Sequence, residues 1–334
     1  MSISTTKSTT ENLPWIEKYR PESLDDVYGQ TNVVETVRRF VTEGKLPHLL
    51  FYGPPGTGKT STILALAKEI YGPKHYKNMI LELNASDDRG IDVVRNQIKD
   101  FASTRQIFAQ KSFKLIILDE ADAMTSAAQN ALRRIIEKYT KTTRFCILAN
   151  YSHKLTPALL SRCTRFRFQP LPQDAIAKRM ENVLAREHLK LTADAKTAVL
   201  KLSRGDMRKA LNVLQASQAT LKDPINDEVT EDIIYECVGS PKPKDLEYCL
   251  QTILKDDRIT ALETVRKLRT NTGLALIDLI SGFIEILQEY ELSEEVRSNI
   301  LIKLSDVEYA ISKGGNDKIQ CGAVVSVIRS SFNV

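Results

Sequence analysis

Between residue 46 and about residue 170, short apolar runs alternate with stretches whose apolar residues recur every three or four positions. The runs at 49–52, 79–83, 115–118, 145–149 and 164–168 have the length of strands, and the stretches between them read as amphipathic helices. That alternation predicts a parallel sheet with helices on both faces. Leu115-Ile116-Ile117-Leu118 carries no polar residue, which marks a central strand buried on both sides. After Leu171-Pro172 only helical patterns follow, at 174–187, 192–203, 206–217 and 230–237. Gly239-Ser240-Pro241-Lys242-Pro243-Lys244 reads as a linker. Beyond it Leu274, Ile277, Ile280, Phe283, Ile284 and Leu287 fall at helical spacing. The expected class is α/β, with a disordered tail at 1–12, an α/β domain at 13–170, a helical domain at 171–238 and a second helical domain at 239–334.

Composition narrows this picture only slightly. The 334 residues exceed one ordinary core, and 42% hydrophobic with 27% charged residues is a globular balance. No apolar run approaches the ~18 residues of a membrane span. The Ser/Thr-rich start lacks the apolar core of a signal peptide. The five cysteines form no C-x-x-C pair, so neither a zinc site nor a disulfide framework is expected. The net charge of +5 carries meaning only through where the basic residues cluster.

The chemistry lies in the α/β part. Gly53-Pro54-Pro55-Gly56-Thr57-Gly58-Lys59-Thr60 is a complete G-x-x-x-x-G-K-[ST] loop between a predicted strand and a helix that starts near Ser61. Such a loop wraps a polyphosphate in backbone N–H groups. Lys59 would reach the terminal phosphates of ATP, and the Thr60 hydroxyl would hold Mg2+. Asp119 and Glu120 end the central strand: the first would bind Mg2+, directly or through water, and the second would polarise the attacking water, unless both are only solvated acids. Asn150 closes the next strand, where an amide could meet the γ-phosphate or the water, or simply form a turn.

These residues, with Leu13-Pro14-Trp15-Ile16-Glu17-Lys18-Tyr19-Arg20-Pro21, Leu118-Asp119-Glu120-Ala121-Asp122, Leu159-Leu160-Ser161-Arg162-Cys163 and Gly205-Asp206-Met207-Arg208, resemble the small subunits of replication factor C, the AAA+ sliding-clamp loader. The resemblance spans essentially the whole chain. It implies a RecA-like ATPase domain, a helical lid and a helical collar. It further implies ATP hydrolysis within a nuclear hetero-pentamer that loads the clamp PCNA onto primer–template DNA in replication and repair. Arg162 matches the family's arginine finger, offered to ATP on a neighbouring subunit, and Arg208 the sensor arginine for the subunit's own ATP. Ile16, Arg20 and Tyr28 match the segment that packs on adenine, although Trp15 and Tyr19 could equally be core.

Two helices, at 91–103 and 126–139, match those that track DNA in the family. Their apolar faces leave Arg95 and Lys99 outside on the first, and Gln129, Asn130, Arg133 and Arg134 outside on the second. Arg89, Arg95, Lys99 and Arg133 are the expected phosphate contacts, independent of base sequence. Gln106-Ile107-Phe108 is a candidate clamp anchor or a buried connection. A DEAD-box helicase would need a second α/β domain, and a protein unfoldase would need an aromatic pore loop where Ser86-Asp87-Asp88-Arg89-Gly90 stands. A catalytically silent scaffold subunit of the same complex is the remaining alternative, although Lys59, Thr60, Asp119, Glu120 and Arg162 are all present.

Overall fold

The structure is a computed structural model describing residues 13–73, 75–85, 91–103, 113–223 and 227–332, with side chains from 96 onward in the third of these. The tail at 1–12, Arg89 with the polar loop around it, and Gln106-Ile107-Phe108 lie outside the described residues. The chain divides into two compact units. The first runs to Lys190 and adds Val199–Ala219 and Asp223–Asp227; the second comprises Leu191–Ala198, Thr220–Lys222 and Glu228–Val334.

The first unit is built on five parallel strands, β1 (Leu49–Tyr52), β2 (Ile80–Asn84), β3 (Lys114–Asp119), β4 (Thr143–Ala149) and β5 (Thr164–Arg167), in the order β2-β3-β4-β1-β5. Helices α1 (Thr31–Thr42), α2 (Lys59–Tyr71), α3 (Ile91–Ser103) and α4 (Ser126–Tyr139) belong to this unit. One core joins Leu49, Phe51, Leu66, Leu115, Ile117 and Phe168; the other joins Leu50, Ile98, Ile116, Leu118, Leu132 and Ile147. Alternate residues of β3 therefore enter opposite cores, which is why that strand has no polar face. The jump from β3 across β4 to β1 matters most for function, because it sets the ends of three strands side by side.

The helices after Pro172 are α5 (Gln173–Glu187), α6 (Ala193–Ser203), α7 (Met207–Thr220) and α8 (Glu231–Val238). Of these, α5 and nearly all of α7 belong to the first unit and α8 to the second, which continues with α9 (Pro243–Lys255), α10 (Arg258–Thr272), α11 (Leu276–Glu289), α12 (Glu294–Ser312) and α13 (Asp317–Ser331). Its core gathers Leu246, Ile253, Val265, Phe283, Leu304 and Val324 among others. Ile277, expected inside by spacing, stands exposed, as do Ile302 and Tyr309 on α12. Among the described residues no single helix is long and apolar enough to cross a membrane.

Candidate functional site

The loop between β1 and α2 is held by the strand ends around it. Gly53 N donates to Ala149 O (3.2 Å), tying β1 to β4. A Cβ on Gly53 would stand 2.1 Å from Phe168 O, and its φ of +147° is one that side chains rarely adopt. Lys59 opens α2 and is buried. Its ammonium donates to Gly53 O (2.7 Å), Pro54 O (2.8 Å) and Asn150 Oδ1 (3.0 Å). Burial pulls its pKa down to about 8; Asp119, Asp122 and Asp206 oppose that shift, and Arg208 adds to it.

Asp119 lies two strands from the loop, yet Thr60 Oγ1 donates to its Oδ2 (3.0 Å). A hydroxyl and a carboxylate oxygen side by side, next to a phosphate loop, fit the oxygen-donor set that Mg2+ takes. Glu120 follows with φ of +53°, in the left-handed region that non-glycine residues enter at a cost. Its N–H donates to Asp119 Oδ1 (2.8 Å), and its side chain is exposed. Asp122, two residues on, accepts from Asn150 N (3.3 Å) and Tyr151 N (3.2 Å), so the ends of β3 and β4 are fastened together. Lys59–Asn150 and Thr60–Asp119 are thus two bonded pairs, set side by side because Lys59 and Thr60 are consecutive.

Beside the loop opens a cleft lined by Ile16, Arg20, Val27 and Tyr28 on one side, Gly56, Thr57, Gly58, Thr60 and Ser61 on another, and Leu171, Arg179, Met207 and Arg208 on a third. Trp15 and Tyr19 are buried, and Tyr19 also lines the cleft. The segment before the sheet is clasped to α5 and α7. Trp15 N donates to Gln215 Oε1 (3.0 Å), Arg179 Nη2 to Tyr19 O (2.7 Å) and Lys18 Nζ to Glu187 Oε1 (2.5 Å), while Tyr19 Oη also donates to Glu187. Burial raises the Glu187 carboxyl, but the bonds from Lys18 and Tyr19 prevail and hold it below the ordinary range.

Arg162 follows the one-turn helix Pro157–Leu160, well apart in sequence from the loop. Its guanidinium pairs with Glu137 on α4 and donates to Ala158 O (2.7 Å). Lys99, with Asn130, Arg134 and Lys138, lines a groove between α3 and α4. Arg133 is half-buried, with its Nε lacking a partner among the described residues. Arg95 lies in α3. Gln129 corrects the sequence expectation: it is not on the outer face but buried. There it donates to Met124 O (3.2 Å) and Lys154 O (3.0 Å) and accepts from Thr156 N (2.7 Å). Three backbone partners offset the cost of placing an amide in the core. Asp122, Arg179 and Asp206 were not singled out by the sequence. Only Asp122 and Asp206 carried a signal, as members of boxes noted for other residues.

A parallel sheet with a polyphosphate loop, an acid pair and a strand-end amide at one edge defines a P-loop ATPase of the AAA+ class. The model of the ATPase family associated with various cellular activities matches residues 49–171, and that of the replication factor C C-terminal domain matches residues 241–327. The chain is 69% identical over 333 residues to replication factor C subunit 3 of Saccharomyces cerevisiae, covering 99% of this chain and 97% of that one. It is 52% identical to subunit 3 of Schizosaccharomyces pombe (100% and 96% covered) and 48% identical to subunit 5 of Homo sapiens (95% and 92%). The chain belongs to the replication factor C family of clamp-loader ATPases. The RuvB Holliday junction branch migration motor of Thermotoga maritima shares the fold, with a TM-score of 0.54 at 18% identity over 83% of this chain and 93% of that one.

Proposed function

We propose that this chain binds ATP in the cleft between its N-terminal segment, the phosphate loop and α7, and hydrolyses it as one subunit of a nuclear hetero-pentameric clamp loader. The observation that carries the reading is the two adjacent bonded pairs, Lys59–Asn150 and Thr60–Asp119, beside an apolar-walled cleft. Adenine would lie against Ile16 and Tyr28, with Arg20 at the rim. The phosphates would replace Gly53 O and Pro54 O as partners of Lys59 and take the N–H groups from Gly56 to Ser61. Thr60 and Asp119 would hold Mg2+, which when bound neutralises charge on the phosphate oxygens. Glu120 would take the proton of the attacking water, and Asn150 would orient that water or the γ-phosphate.

Beyond Lys59 and Arg208, a further cation for the charge that develops in the transition state would come from an adjoining subunit. Arg162 would supply it to the neighbour's ATP after leaving Glu137, as the neighbour does here. Residues 171–238 would act as a lid through Arg208, and residues 239–334 as a collar joining subunits. The basic groove between α3 and α4 that Lys99 lines favours DNA phosphates, and Arg89, Arg95 and Arg133 are the other proposed contacts. The sliding clamp PCNA would be the cargo and primer–template DNA its destination.

The test is the ATPase rate of the assembled complex with and without clamp and primed DNA. Stimulation by both is expected, and it should be lost from this subunit's site in Lys59→Ala. No stimulation by either would overturn the clamp-loading reading, and an unaltered rate in Lys59→Ala would make this subunit a scaffold.

A further inference from the structure

The helix that carries Arg208 starts directly on the phosphate loop. Met207 N donates to Gly56 O (3.2 Å), and Asp206 Oδ1 stands 1.6 Å from where a Cβ on Gly56 would be. Gly56 has φ of +67°, so conformation and space both demand glycine there. The same Asp206 oxygen accepts from Arg208 N (2.8 Å) and Lys209 N (3.2 Å), which makes Asp206 the cap of α7. Behind it, Gly205 O accepts from Leu171 N (3.0 Å), and a Cβ on Gly205 would meet Pro170 Cβ at 2.6 Å. The turn Gly205-Asp206 is therefore pinned between the segment leaving the sheet and the loop that takes phosphate.

A carboxylate at this point works against a triphosphate electrostatically, since like charges repel across a few ångströms. Electrostatic attraction for the nucleotide therefore does not explain it. What Asp206 provides is position: one oxygen satisfies two N–H groups at the start of α7, and its bulk seats that turn against the bare face of Gly56. We propose that Asp206 is a positioning residue of the ATPase, locking the start of α7 to Gly56 so that Arg208 is held over the phosphate loop and moves with it when the loop fills. This rests on the reading of Arg208 as the contact to the terminal phosphate of the subunit's own ATP.

The test uses the full chain assembled with its sister subunits and measures affinity for ATP relative to ADP at this subunit's site. Arg208→Ala should lower that ratio about tenfold or more, the scale of one lost charge-assisted hydrogen bond. Asp206→Ala should lower it comparably, while Asp206→Asn, which keeps the cap acceptor and the bulk, should stay within about threefold of the parent. Because Asp206 acts through Arg208, Asp206→Ala should cost nothing further in the Arg208→Ala background. A parent-like ratio in Asp206→Ala overturns the proposal, as does a loss in Asp206→Asn equal to that in Asp206→Ala, or losses that multiply in the double variant. Should Asp206→Ala fail to assemble, Gly56→Ala reaches the same contact from the other side, and a parent-like ratio there is equally fatal. If Arg208→Ala itself leaves the ratio unchanged, the assignment of Arg208 fails and the role of Asp206 falls with it.

Discussion

If Lys59 holds the phosphates as proposed, it should set an upper pH limit on nucleotide capture. Its ammonium is buried, and burial holds its pKa at about 8 against the ordinary 10.5. The phosphates require the charged form, so above pH 8 capture must take up a proton. Affinity should be level below about pH 7 and fall towards tenfold per pH unit above about 8, the charged fraction at pH 9 being about one in eleven. The terminal phosphate, with its second ionisation near ~6, adds nothing to the slope over that range. Stability moves the opposite way. Between pH 8 and 10.5 the folded empty protein holds fewer protons than the unfolded chain, so its unfolding free energy rises with pH relative to Lys59→Met. Below that window Lys59 remains a constant handicap. Titration with a fluorescent ATP analogue from about pH 6.5 to about pH 9.5, beside Lys59→Met, reads the first effect; denaturant midpoints read the second. An affinity level to about pH 9.5, or an equal fall in Lys59→Met, refutes the argument.

Asp122→Ala removes the acceptor that holds Asn150 N and Tyr151 N. It should reduce kcat of the assembled complex about tenfold while changing nucleotide affinity little, as steady-state kinetics with binding titrations would show. Glu187→Gln weakens the bonds from Lys18 and Tyr19. It should cost about 1 kcal/mol of stability at neutral pH. Because the folded pKa lies below 4.5, that deficit is present above about pH 4.5 and vanishes as pH falls through the folded value, which denaturation at stepped pH can follow. Phe283→Ala opens the core of the second unit and should destabilise it by about 3–5 kcal/mol, seen in thermal or denaturant unfolding.

The sequence was most legible where a period and a motif coincide. β1, α3 and α4 fall at the expected residues because apolar spacing and turn residues agree there. β3 and β4 run one or two residues beyond expectation, since hydrogen bonding to neighbours extends them past their apolar centres, while β2 is displaced by one residue and β5 stops one early. Sheet order was not legible: nothing local says that β4 lies between β3 and β1, and that order alone brings Asn150 to Lys59. Periodicity failed at Gln129, because it grades a side chain by polarity and cannot see the three backbone partners waiting for it. It failed at Ile277 for the converse reason, an apolar residue left facing outward. Arg179 was invisible because its partners lie 160 residues away at Tyr19 O and across a gap of similar length at the Tyr28 ring.

The clasp between the N-terminal segment and α5 and α7 has a kinetic consequence. Trp15, Lys18 and Tyr19 are fastened by bonds within the chain, so on the proposed reading the wall against which the base rests would be ordered by folding. Ordering entropy is then absent from the encounter, and arrival proceeds at the rate of a rigid pair. Residence time would then be governed by how often the bonds of Trp15, Lys18, Tyr19 and Arg179 open together. Loosening any one of them, for instance at Gln215, should shorten the dwell of nucleotide far more than it slows its entry.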